Sequence, residues 1–185
     1  MDDTLERQLR DIADRHAIHQ VMLRYARGLD RLDNALARSC YWDDATEDHG
    51  HFVGPPDQFI AWADSTTLRF EVTQHAITNH FCDLAGDDAY CETYYHFTGL
   101  NAEGPHFMST GRYVDHFQRR GGEWRIANRV TIVEGQFDVP RAAATALMPP
   151  AYTDAEPCQA TRGADDVSYH RPPVPRREGA HAGAV

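Results

Sequence analysis

The chain lacks any run approaching the roughly 18 apolar residues that a membrane-spanning helix requires. It also lacks an excess of positive charge. Its 18 Lys and Arg stand against 28 Asp and Glu, for a net charge of -10. Binding to nucleic acid or an anionic membrane through bulk charge is therefore not expected. No Gly-rich phosphate loop, GxSxG elbow or dinucleotide fingerprint occurs, so nucleophilic serine and nicotinamide chemistry are unsupported. The four cysteines, Cys40, Cys82, Cys91 and Cys158, form no CxxC pair. Neither a structural metal nor a cofactor is expected. The acidic start Met1-Asp2-Asp3 leads into polar helical sequence rather than a basic, then apolar, leader. The expectation is a soluble cytoplasmic protein whose thiols are reduced.

What is present suits one domain with an appendage. The 185 residues are 42% hydrophobic and 25% charged, which is ordinary globular usage and enough chain for a real core. Leu5, Leu9 and Ile12 repeat at helical spacing; Ile18, Met22, Tyr25 and Leu29 repeat in a different phase. Asp14 stands at the break as a candidate cap, and Gly28, Asp30 and Asp33 signal a helix stop. Shorter helices are predicted over 34–40 and 57–68, with a brief extended segment after Tyr41. From Phe70 the chain turns rich in β-branched and aromatic residues. Turn signals predict four long strands at about 71–84, 88–100, 106–119 and 123–135, joined as an antiparallel meander. Helices followed by strands make an α+β domain over 1–136. Residues 137–185 read as an extension, with a short helix at 141–148 and a Pro-rich remainder that is partly disordered or packs on a neighbouring subunit.

The first hairpin allows a register to be written. A turn centred between Gly86 and Asp87 sets Cys82 opposite Cys91, Asn79 opposite Tyr94, Ile77 opposite His96 and His75 opposite Thr98. His75 and Asn79 then share a face with Tyr94 and His96. That face is either a solvated exterior or the polar floor of a pocket, where a histidine would suit general acid–base work. His16/His19 and His49-Gly50-His51 are the other notable histidine pairs, without a strong ligand pattern.

Three stretches carry a family resemblance. They are DRHAIHQVMLRYARGLDRLDNALARSCYWDDA at 14–45, HAITN at 75–79 and GRYVDHFQRRGGEWRIANR at 111–129. In this order they resemble the SnoaL-like group of the nuclear-transport-factor-2-like superfamily, over about 1–136. The resemblance implies a cone: a curved antiparallel sheet, four long strands plus a short one, wrapped round three helices and holding a deep apolar pocket. It implies a His/Asp pair, which falls on His75 and Asp30. It also implies a tyrosine at Tyr25 to polarise oxygen and an arginine at Arg129 to stabilise developing negative charge. Strict alternation sets Arg129 on the face opposite Trp124 and Ile126, so it reaches the pocket only past a β-bulge.

His96 and Asn79 are further candidate substrate contacts. Trp42, Tyr94 and Tyr113 are candidate walls against a flat ligand. The expected activity is that of a cofactor-independent lyase, eliminating water or cleaving a carbon–carbon bond in a hydrophobic aromatic or polycyclic small molecule. The alternatives are an isomerase, cyclase or epoxide hydrolase of the same fold, or a non-catalytic binding or oxygenase β-like subunit. A homodimer or homotrimer is expected, with Tyr95, Phe97 and Val114 on an exposed sheet face.

Overall fold

The computed structural model describes residues 3–141 and 160–173. Helix α1 runs unbroken over Asp3–Arg31. Its buried residues Ile18, Val21, Met22, Tyr25 and Leu29 recur at spacings of three and four and form one stripe against the sheet. Leu5, Leu9 and Ile12 are out of phase with that stripe and stay exposed. Asp14 caps nothing. Its carboxylate accepts hydrogen bonds from Arg119 at 3.0 Å and from Trp124 Nε1 at 2.8 Å, pinning the helix to the far end of the sheet.

The helix ends because Leu32 adopts a left-handed φ of 54°, which lets the Asp33 N–H reach back to the Gly28 carbonyl at 2.8 Å. Gly28 serves packing rather than the stop itself. A β-carbon there would lie 2.6 Å from the backbone nitrogen of Ala37 in α2, Asn34–Arg38. Helix α3, Pro56–Thr67, begins with proline at a position whose N–H has no helical partner.

Six strands form one sheet among the described residues: β1 Tyr41–Asp48, β2 Val53–Gly54, β3 Val72–Ala85, β4 Asp88–Leu100, β5 His106–Arg120 and β6 Glu123–Val139. Their order is β2-β1-β6-β5-β4-β3. The four long strands form the expected antiparallel meander. The sheet is nonetheless mixed, because β1 runs parallel to β6. It curves round the helices as an open α+β cone. No described helix is long and apolar enough to cross a membrane.

Bulges decide which side chains face inward. Near its turn the β3–β4 hairpin has the expected register, with Cys82 opposite Cys91. Both are buried free thiols. Between Ile77 and His80 the register slips by one residue. Thr78 and Asn79 together face Tyr94, so beyond that point His75 pairs with Phe97 and Ile77 with Tyr95. Side chains alternate, so a one-residue insertion exchanges the two faces of the strand. The slip turns His75 and Ile77 inward, onto the face where the unbroken alternation of β4 places Tyr95 and Phe97; these two point into the core, correcting their expected exposure. The outer face presents Phe81, Tyr90, Val114 and Val130 instead. A second slip, at Ala127 in β6, makes Ile126, Ala127 and Arg129 all buried.

Residues 160–173 make contacts with their own chain. The Gly163 N–H donates to the Arg31 carbonyl at 2.6 Å, and Arg162 donates to the Asp30 carbonyl at 3.2 Å and the Thr67 carbonyl at 3.1 Å. The helix expected at 141–148 lies, beyond Arg141, outside the described residues.

The Gly28 contact gives a test against propensity. Alanine normally favours a helix over glycine by about 1 kcal/mol. Here the added methyl meets backbone, so Gly28→Ala is expected to destabilise by about 1–3 kcal/mol, read as a lower urea midpoint. An unchanged or raised midpoint would show that α2 does not rest on Gly28.

Candidate active site

Asp30 sits in the last turn of α1, and β3 passes directly over it. Its Oδ2 accepts the backbone N–H of His75 at 2.8 Å, and its Oδ1 accepts the ring Nδ1–H of His75 at 2.7 Å. With Nδ1 donating, Nε2 carries the lone pair, a tautomer assigned from the hydrogen-bond pattern. Burial alone would push the Asp30 carboxyl up. The hydrogen bonds and charge of His75, with a contribution from the Thr73 hydroxyl, outweigh it and hold the group below its ordinary value.

The imidazole opens onto a cavity of about 220 Å³ between the sheet, α1 and α3. Its walls are mainly aromatic and include Tyr25, Phe59, Trp62, Phe97, Phe107 and Tyr113. The His75 ring lies 4.9 Å from that of Phe97, centroid to centroid. Two larger depressions of about 470 Å³ occur, one along the charged start of α1 and one on the outer sheet face. Neither contains the His–Asp pair.

Tyr25 is fully buried, lines the cavity, and its hydroxyl has no hydrogen-bond partner among the described residues. A buried donor without a partner is uncommon and costs stability. Burial, reinforced by Glu47, pushes its titration far above the ordinary tyrosine range, so it remains an O–H donor.

Arg129 faces inward past the Ala127 bulge, but it does not line the cavity. Its guanidinium makes a paired contact with Asp115, at 2.6 Å through Nε and 2.8 Å through the terminal nitrogen. It is sandwiched 4.2 Å from the Tyr25 ring and 4.3 Å from the Tyr113 ring. Its charge is thus committed to Asp115 and two π-faces. The expected oxyanion contact is corrected to a supporting position behind the two tyrosines.

Four other expected contacts lie outside the cavity. His96, Tyr94 and Asn79 are exposed on the outer sheet face, and the bulge at Thr78–Asn79 turns His75 away from them to the inner side. Trp42 donates Nε1–H to the Gln118 carbonyl at 2.9 Å and stacks beneath Arg120 and Arg125 on the exterior. Its neighbour Tyr41 takes the inward position.

Sequence reasoning missed Glu47 and His49. Glu47 is fully buried. It accepts the Tyr41 hydroxyl at 2.7 Å and the ring Nδ1–H of His49 at 2.9 Å, and His49 lines the same cavity. The available signal was two ionisable residues two apart at a strand end, hence on one face. Asp115 was equally readable, being an acidic residue in the buried alternation Tyr113, Asp115, Phe117.

One described group has metal-ligand chemistry. His80, Cys82 and Cys91 bring their ligand atoms within 4.8 Å of one another beneath His19 of α1. The Cys91 thiol and His80 hold the Cys82 thiol below its usual range. None of these three lines the cavity.

A conical α+β sheet with an internal cavity defines a small-molecule-binding fold class. The SnoaL-like domain model matches residues 10–130, and the chain belongs to that family. Solved structures with the same fold include Kfla4162 from Kribbella flavida, at 23% identity over 69% of this chain and 95% of that one, with a TM-score of 0.63. A proposed scytalone dehydratase from Novosphingobium aromaticivorans matches at 18% over 76% and 97%, with a TM-score of 0.64. The hexachlorocyclohexane dehydrochlorinase LinA-type3 from Novosphingobium barchaimii matches at 20% over 77% and 99%, with a TM-score of 0.65. No curated protein matches the chain.

The Asp30 environment predicts an acid-side stability limb. A carboxyl held below its unfolded value of 3.8 contributes stability above that value and loses it as pH falls through the folded one. The gap in urea midpoint between wild type and Asp30→Asn should therefore be fully open near neutrality. It should close as pH falls through 3.8 and then through the lower folded value. A gap independent of pH would show that Asp30 is not ionised against His75.

Proposed function

We propose that the protein is a cofactor-independent lyase acting on a hydrophobic aromatic small molecule, by elimination of water or cleavage of a carbon–carbon bond. The observation that carries this reading is the 2.7 Å contact between His75 and Asp30 at the wall of an apolar cavity. His75 Nε2 removes a proton from carbon or from a hydroxyl. Asp30 holds the reactive tautomer and stabilises the imidazolium that forms. The unpartnered Tyr25 hydroxyl donates to the substrate carbonyl as negative charge develops on its oxygen. An apolar cavity of about 150 Å³ holds benzene, so one of 220 Å³ suits a substituted single ring or two fused rings.

The test is a panel of hydroxylated one- and two-ring compounds, scored by mass spectrometry for loss of water or for fragmentation, with chelator present throughout. His75→Ala should slow turnover by roughly 10²–10⁴-fold with the fold retained. Turnover that survives this substitution, or that chelator abolishes, excludes the mechanism.

Self-association belongs to the same proposal. Phe81, Tyr90, Val114 and Val130 form an apolar patch on the outer sheet face, and such patches usually meet a partner. Sedimentation should report a dimer or trimer that Val114→Lys together with Phe81→Lys converts to monomer. A monomeric wild type would remove this part.

A further inference from the structure

The cavity holds a second imidazole backed by a second carboxylate, and the lyase reading assigns it nothing. His49 lies just beyond the end of β1. Its Nδ1 is held by Glu47 Oε1 at 2.9 Å and by the Thr131 hydroxyl at 3.0 Å. The ring rests 5.2 Å from that of Phe59 and 5.4 Å from that of Trp62. Glu47 has no exposure, and Tyr41 and Thr131 supply its remaining hydrogen bonds. No hydrogen bond among the described residues occupies His49 Nε2. The arrangement repeats that of His75 and Asp30, from the other end of the sheet: β3 is one edge, while β1 lies beside the opposite edge strand.

A fully buried carboxylate costs several kcal/mol in desolvation. A neutral glutamine would accept the same Nδ1–H without that cost. What glutamine cannot do is stabilise an imidazolium. Two carboxylate-backed imidazoles in one cavity fit a division of labour in which one takes a proton and the other gives one.

We infer that His49, positioned by Glu47, is the general acid that protonates a departing oxygen, so that the substrate is a β-hydroxy carbonyl compound and its leaving group a hydroxyl. This rests on the lyase reading and deepens it. His75 Nε2 takes the proton from the carbon beside the carbonyl. The C–H electron pair becomes the new C=C bond, and the C–O bond breaks. The oxygen leaves as water with the Nε2 proton of the His49 imidazolium. The substrate loses one water, and the surplus proton on His75 returns to His49 through solvent. A chloride leaving group needs no proton, so only an oxygen leaving group requires this acid.

That difference supplies the experiment. The probes are the β-hydroxy ketone formed from benzaldehyde and acetone and the matching β-chloro ketone. Both yield the same conjugated enone, followed by its ultraviolet absorption above the buffer background. His75→Ala should abolish turnover of both. His49→Ala should lower kcat on the hydroxy ketone roughly 100-fold, while the chloro ketone changes less than about threefold and added imidazole restores the lost rate. Glu47→Gln should depress the hydroxy ketone alone, with less effect than His49→Ala. Equal losses on both probes after His49→Ala, or no loss on either, would overturn the role of His49 and leave His75 as base. A wild type inert towards both probes would count against the lyase reading and this inference together.

Discussion

The contact on which the rest depends is the double hydrogen bond from His75 to Asp30. One carboxylate receives both the backbone and the ring of the same residue, at 2.8 and 2.7 Å. The backbone bond ties the end of α1 to the first long strand and fixes where the sheet wraps the helix. The ring bond fixes the tautomer and direction of the imidazole. Structure and chemistry are coupled there because one residue carries both bonds. The C-terminal segment adds to the same point, since Arg162 binds the Asp30 carbonyl from behind.

Around that contact the protein accumulates buried charge and polarity at a cost to stability. Arg129 and Asp115 are both wholly desolvated, and losing one member of such a pair typically costs about 3–5 kcal/mol. Burial pushes the Asp115 carboxyl up, and Arg129 offsets only part of this. The guanidinium spreads its charge over the rings of Tyr25 and Tyr113, and it reaches the Tyr41 hydroxyl at 3.5 Å. Through Tyr41 the ion pair connects to Glu47 and His49. The aromatic wall of the cavity is therefore braced from behind by a cation.

The shorter helices, the four long strands and the Cys82–Cys91 register across the first hairpin were legible in the sequence, because periodicity and turn chemistry are local signals; the phase change at Asp14, read as a break, lies inside one continuous helix. So was the placement of His75 on Asp30, carried by the family resemblance. What was not legible was the face each strand presents. An inserted residue at Thr78–Asn79 leaves every local pattern intact and reverses the assignment of all positions beyond it. That single event brought His75 and Ile77 onto the inner face beside Tyr95 and Phe97, whereas β4 alternates without a break and keeps Tyr94 and His96 outside. At Ala127 the reversed alternation was itself the clue, since an arginine in family register needed a bulge to reach the interior. Trp42 was misplaced for a different reason: it and Tyr41 are adjacent aromatic residues on a strand, and only one of them can face inward.

The position of the bulges also explains why a twisted sheet can carry a reactive site at all. An evenly alternating strand would present one apolar face to the helices and one polar face to water, with no reason to turn an imidazole inward. The slip in β3 places His75 and His80 on the inner side with the same spacing defect between them. The slip in β6 does the same for Arg129. Each bulge also bends its strand, so curvature and inward polarity arise together. A cavity that needs both a hollow and a few aimed polar groups is therefore obtained from the same two insertions. On this account, removing one residue from Thr78–Asn79 would return β3 to simple alternation, rotate His75 away from Asp30 and flatten the sheet beside it.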